Sequence, residues 1–381
     1  MKICAIICEY NPFHNGHLYQ LREAKRLSGA DAVLCIMSGN FVQRGEGAIL
    51  NKFTRAKHAV MAGADVVIEL PTVFATSNAE LFAKGAVHIL SSIPDVTTLC
   101  FGCETANKTA FKLAAKYLNN EPQEVSLKIK ELAACGVSYA KARAQAWAGF
   151  IPMELLCSPN NILGLEYTRA ILDKGANIDI LPIERVGGNY NDPTLLGNYS
   201  SATAIRTALQ KQNSVCDNVP DFVARDLPAQ LENVLDCLEK YAILSREKTE
   251  IAKVCDCKEG LENAFKKAAL ENPPLHETLT SARYTTSRIR RIALQNLLKI
   301  DETFIRDCLQ ADLYLHVLAA KKERSDLLTA LSASSFPTIL RAHSEDVLQG
   351  VAKQCYEKDC YANEVYRLLY PNSCLRKNVF M

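Results

Sequence analysis

His14 and His17 stand three residues apart in the string EYNPFHNGH, directly after the apolar run ICAIIC. Two imidazoles at that spacing can ligate a metal, settle into a turn, or stabilise charge that grows on a phosphate during a reaction. Gly16, between them, permits a close approach that a side chain would block. The neighbourhood holds no Cys/His cluster at finger-like spacing to complete a zinc site. Far downstream, SSATAIR sets Ser201, Thr203 and Arg206 at the opening of a helical segment, which gathers hydroxyls, free N–H groups and a cation. Alone, that string reads as helix capping; beside the two histidines it supplies the second half of a triphosphate clamp.

Other polar strings follow short apolar runs. SGNFVQRGEG offers Ser38, Gly39, Gln43 and Arg44, and can equally be an ordinary polar loop. Glu69 ends a further run, as a paired buried carboxylate or a binding group. FGCET places Gly102 where close backbone approach is useful. Its Cys100 and Cys103 form a C-x-x-C spacing without a second pair, so packing is the expected role, as for Cys255 and Cys257. Asn160 and Asn161 precede a helical stretch as a capping corner, and Arg185 ends a strand-like run.

The elements that must position these residues alternate. Apolar runs at 3–8, 32–37, 65–70, 96–102 and 180–186 read as buried strands, and segments with helical spacing between them end at Gly29 and Gly63. That alternation predicts an α/β fold with a Rossmann-like parallel sheet and ligands beyond the carboxyl ends of its strands. Residues 106–149 read as helix-rich. From 211 the chain turns mixed-charge and leucine-bearing, with few strand signals, and ENPPLHE at 271–277 reads as a linker. The expected organisation is a catalytic α/β domain over 1–210 and a mainly α-helical domain over 211–381.

With 381 residues and 48% hydrophobic content the chain can bury a full core, and its net charge of +2 confines any nucleic-acid surface to a local patch. Fifteen cysteines spread through a chain that opens without a signal-peptide pattern predict reduced thiols and a cytoplasmic location. No apolar run reaches the roughly 18 residues of a membrane span.

The two clamp motifs resemble the HIGH-motif nucleotidyltransferase superfamily. EYNPFHNGHLYQL, MSGNFVQRGE, GADVVIELP, FAKGAV, FGCE, PNNILGLEY and SATAIR together resemble the tRNA(Met) cytidine acetate ligase family. The sequence departs from the family strings at Gly47, where proline is common, and at Cys103, where serine is. The resemblance implies an ATP-dependent ligase that forms N4-acetylcytidine at the wobble position of elongator tRNA(Met) through acetyl adenylate, releasing AMP and pyrophosphate. It implies an ATP site built from Ile7, Cys8, Glu9, Tyr10, Asn11, Pro12, Phe13, His14, Asn15, Gly16, His17, Leu18, Tyr19 and Gln20, with Gly102, Asn160, Arg185, Ser201 and Thr203. His14, His17 and Arg206 take the catalytic roles, Mg2+ rides on the ATP phosphates without a protein-held metal site, and Ser38, Gly39, Gln43 and Arg44 become candidates for the acetate loop.

For the tRNA, SARYTTSRIRRIALQNLL gathers Arg283, Arg288, Arg290 and Arg291 beside Tyr284 on a segment of helical spacing. Local pairing with acids is the competing reading. Two further functions use the same motifs: a cofactor-pathway adenylyltransferase, and an ATP-sensing RNA-binding protein without catalysis. The roughly 170 residues beyond the second motif favour a macromolecular partner over the first, and the intact histidines weigh against the second.

Overall fold

The computed structural model describes residues 1–137, 139–187, 195, 197–228, 234–340, 344–371 and 378–381. The apolar runs form β1 (Ile3–Cys8) and β2 (Ala32–Ser38), followed by a small pair, β3 (Phe41–Val42) and β4 (Glu46–Gly47), and then β5 (Val66–Leu70), β6 (Val96–Cys103) and β7 (Asp179–Glu184). Three strands come later in the chain: β8 (Leu315–Ala320), β9 (Thr338–Ile339) and β10 (Val379–Phe380).

The main sheet has the order β10-β8-β5-β2-β1-β6-β7, with β9 on β8. Pairings among β5, β2, β1, β6 and β7 are parallel, and both faces carry apolar clusters, which is why these strands are apolar throughout rather than alternating. After β1 the chain builds outward to β2 and β5, then returns to place β6 on the other flank of β1. The crevice at this reversal, beyond the carboxyl ends of β1 and β6, is where an open α/β sheet binds its ligand.

Residues 211–381 are mainly helical, as expected, except that β8 lies fully buried in the central sheet, antiparallel to β5 with Val66 opposite Ala320. The sheet therefore does not end with the first 210 residues. One apolar cluster includes both Ile3 and Leu369, and a smaller one lies beneath the helices around Ile251, Phe265 and Ile292.

Candidate functional site

The loop after β1 turns into the helix Asn15–Ser28, and His14 is its N-cap. The Gly16 N–H donates to His14 Nδ1 at 3.1 Å, and the His14 N–H donates to His17 Nδ1 at 3.3 Å. The two histidines thus form a reciprocal capping box, and their rings stack with centroids 3.6 Å apart. Burial, with Arg185 and Arg206 nearby, drives the His14 pKa down to about 3. Burial and His14 itself hold His17 well below the usual histidine value. Both rings are therefore neutral near pH 7. Since each Nδ1 accepts, each ring carries its hydrogen on Nε2, which becomes the donor. The turn-satisfying and phosphate-binding readings are thus compatible: Nδ1 serves the fold and Nε2–H remains for a ligand.

Tyr10 opens this loop with φ +48°, a left-handed conformation that a bulky side chain adopts at a cost. Its ring is buried against Phe13 and His17. Behind the loop, Arg55 is wholly buried and donates to the carbonyls of Glu9, Ser38, Gly39 and Leu50, tying the ends of β1 and β2 together. Glu9 Oε1 accepts the Gln43 N–H at 2.7 Å. Burial pushes the Glu9 carboxyl up, against that N–H and against Arg206, Arg44 and Arg55.

These residues face a cleft that opens to solvent. Ile7, Cys8, Glu9, Tyr10, Asn11, His14, His17 and Gln20 line it from the first loop, joined by Gln43, Arg44, Gly102, Asn160, Arg185, Thr203 and Arg206. Gly16 and Tyr19 line an adjoining cavity with Arg185. Four members of the loop serve the scaffold. Pro12 follows Asn11 through a cis peptide bond, Phe13 is buried in the core, Leu18 packs against that core, and Asn15 donates to the carbonyls of Asn198 and Asp217.

The second motif lies opposite. Ser201 caps the helix Ala202–Gln210, its Oγ accepting the Ala204 N–H at 3.0 Å, while Thr203 and Arg206 face the cleft. Arg206 Nη1 donates to the Asn11 carbonyl at 2.8 Å and Nη2 lies 3.9 Å from Glu46 Oε2, so this arginine joins the two motifs directly. Asn160 is not a cap. It sits in the first turn of the helix Pro159–Lys174, where Glu104 accepts its Nδ2 at 2.7 Å and the Asn161 N–H at 2.9 Å.

Ser38 and Gly39 lie behind the cleft rather than in it. A Cβ on Gly39 would sit 2.5 Å from Glu69 Oε1, and Glu69 is held by Lys52 at 2.7 Å and by His316 Nδ1 at 2.6 Å, all buried. Glu69 is therefore the paired carboxylate of the two readings: burial alone would raise its pKa, but Lys52 and His316 hold it low. Sequence reasoning missed Lys52 and Arg55, both on the helix Lys52–Met61, and the apolar wall of Phe82, Phe101, Leu163 and Tyr167. A legible signal for the first pair was a lysine and an arginine three apart on an otherwise apolar helix face.

The arginine cluster divides. Arg290 pairs with Glu46 and lies 3.0 Å from His276 Nε2, and Arg291 reaches the Gln43 carbonyl at 3.5 Å, so both brace the loop between β3 and β4. Arg288 donates to the Asp256 carbonyl and stacks on Tyr284, while Arg283 is 66% exposed and pairs with Glu259. Cys100 and Cys103 are buried free thiols, with burial pushing Cys103 up to about 12, and no helix among the described residues is long and apolar enough to cross a membrane.

A family model described as HIGH Nucleotidyl Transferase matches residues 1–379. Relatives named tRNA(Met) cytidine acetate ligase include one from Thermosipho africanus, 35% identical over 413 residues, with 99% of this chain and 97% of the relative covered. Another, from Acetivibrio thermocellus, is 36% identical over 408 residues at the same coverage. Among solved structures, Thermotoga maritima TmcAL superposes with a TM-score of 0.91 in its apo form and 0.88 with alpha-thio ATP bound, each at 30% identity and with both chains covered completely.

Proposed function

The chain belongs to the tRNA(Met) cytidine acetate ligase family of HIGH nucleotidyl transferases, and from that premise we propose that it acetylates the N4 amine of the wobble cytidine of elongator tRNA(Met) at the expense of ATP. An acetate oxygen attacks the α-phosphorus, the α–β bridge breaks, and pyrophosphate leaves. The cytidine N4 then attacks the acetyl carbon, AMP leaves, and N4 gives up a proton.

The observation that carries the reading is the pair of stacked histidines, each Nδ1 taken up by a backbone N–H, in one cleft with Thr203 and Arg206. Donors fixed in place before the reaction stabilise growing negative charge without reorganising. We assign His14 and His17 to the α-phosphate, and Thr203, Arg206 and the N-terminus of the helix Ala202–Gln210 to the leaving pyrophosphate. Gly102, Asn160 and Arg185 line the part of the cleft assigned to the nucleoside, and Gln43 and Arg44 the side assigned to acetate. Gly39 lies against Glu69 of the buried Lys52–Glu69 pair, behind that side of the cleft.

Mg2+ belongs to the proposal as a passenger on the phosphates. When bound it would lend positive charge to those phosphates, and among the described residues no three ligating side chains gather to hold a metal. Likeness over nearly the full length to relatives named tRNA(Met) cytidine acetate ligase weighs against the cofactor-pathway reading. The test is incubation with ATP, labelled acetate and elongator tRNA(Met): label on the wobble cytidine supports the proposal, and unlabelled tRNA with folded protein rejects it.

A further inference from the structure

A second cavity adjoins the nucleotide cleft, and Arg44, Thr203 and Arg206 form the wall they share. The helix Leu235–Ser245 closes one side, and Leu369 with Tyr370, at the end of the long helix Gly350–Leu369, closes another. Within it Glu239 is 6% exposed, and its Oε1 has no hydrogen-bond partner. Burial, with Asp236 close by, pushes the Glu239 carboxyl well above the usual range and favours its protonated form. A buried polar atom left unpartnered costs stability, and such groups are retained where a ligand completes them.

A protonated carboxyl offers a donor and an acceptor side by side. That pair complements one edge of a nucleobase: a ring nitrogen that accepts, beside an exocyclic amine that donates. The cytosine N3/N4 edge has this form. Bases that undergo chemistry are taken out of their stack, read on that edge, and packed against aromatic and apolar side chains, which Tyr370, Leu369 and Ile49 provide here. Position alone would also suit departing pyrophosphate. Arg44, Arg206 and Arg290 balance Glu46 and Asp236 in the lining, but pyrophosphate offers acceptors only and would leave the carbonyl oxygen of the Glu239 carboxyl unanswered.

Resting on the function proposed above, we infer that this cavity receives the target cytosine, turned out of the anticodon loop, with Glu239 reading its N3/N4 edge. Glu239 is a specificity residue of the second step. The shared wall then has two uses: Arg206 and Thr203 face pyrophosphate during adenylation and border the base during transfer.

The test separates the two half-reactions in Glu239→Leu and Glu239→Gln, using acetate-dependent ATP–pyrophosphate exchange and acetyl transfer to elongator tRNA(Met) carrying either cytidine or 3-deazacytidine at the wobble position. Glu239→Leu keeps exchange within about twofold and loses at least about fivefold in transfer, the low end for a bidentate base contact. Glu239→Gln, whose amide offers the same donor and acceptor, keeps transfer within about threefold by the same matching of groups. The 3-deaza substrate, lacking N3, is poor for the wild type and is penalised no further by Glu239→Leu. Wild-type transfer by Glu239→Leu overturns the inference, as does loss of exchange together with transfer, or a 3-deaza penalty that persists in the variant. A wild-type protein that shows no acetate-dependent exchange sinks the underlying ligase reading instead.

Discussion

Gly102→Ala separates binding from folding at the heart of the cleft. In the free protein the added Cβ would meet Arg185 Cγ at 3.5 Å and Gln20 Cδ at 4.0 Å, ordinary van der Waals contact, and Gly102 is not among the positive-φ glycines. It lies in β6, where alanine is better than glycine by about 0.5–1 kcal/mol, so the variant should melt no lower than the wild type. The methyl projects into the cleft beside Arg185, where the nucleoside is assigned. Forcing an extra methyl against a well-fitted neighbour costs about 1–3 kcal/mol, a loss of roughly five- to 150-fold in kcat/KM for ATP. Acetate-dependent pyrophosphate exchange at varied ATP, run beside a thermal melt, reads both quantities. Near-wild-type KM in a folded variant would refute the placement of the nucleoside against Gly102. Gly164→Ala could not make this distinction, because its Cβ would lie 2.3 Å from the Phe101 ring and the cost would fall on packing.

The remaining predictions concern the scaffold and pH. His14 and His17 should stay neutral well below pH 6 in the free protein; with lowered folded pKa values, the unfolded chain binds more protons below about 6.5, so these groups subtract stability as pH falls through that window. Imidazole NMR signals titrating near 6.5 would contradict this. Lys52→Met should destabilise the protein by about 3–5 kcal/mol at pH 7, since it strips the buried Glu69 of its main counter-charge. Because the Glu69 pKa is lowered to about 2, the stability its pairing contributes is present above the unfolded carboxylate value and lost progressively as pH falls from there through about 2, so the penalty should begin to shrink toward pH 4; equal penalties in denaturant titrations at both pH values would count against the pairing. Gly45→Ala should lower both stability and exchange: φ is +75°, and a Cβ would come within 2.6 Å of the Arg290 and Arg291 backbone, displacing the loop that carries Glu46. Unchanged melting and exchange would show that this contact is dispensable.

Much of the sheet was legible because a parallel strand buried on both faces writes an uninterrupted apolar run. β1, β2, β5, β6 and β7 end within a residue or two of the runs that announce them. β8 was not legible: His316 interrupts its apolar pattern, two alanines close it, and alanine has little strand preference. That histidine is there for Glu69, 247 residues earlier, and spacing along the chain cannot reveal such a partner. The same limit applies to the arginines. Sequence places Arg290 and Arg291 beside Arg288 in one basic cluster, whereas the fold turns them onto Glu46 and the Gln43 carbonyl. The nucleotide loop was legible as a whole, but its division into lining and scaffold was not, because only packing decides that Phe13 faces the core while His14 and His17 face the cleft.

The central claim is that the histidine pair carries adenylate formation, and His17→Ala tests it most directly through acetate-dependent ATP–pyrophosphate exchange on protein whose melting confirms its fold. Loss of one preorganised donor should lower exchange by about 10²- to 10³-fold. Exchange at the wild-type rate would contradict the account.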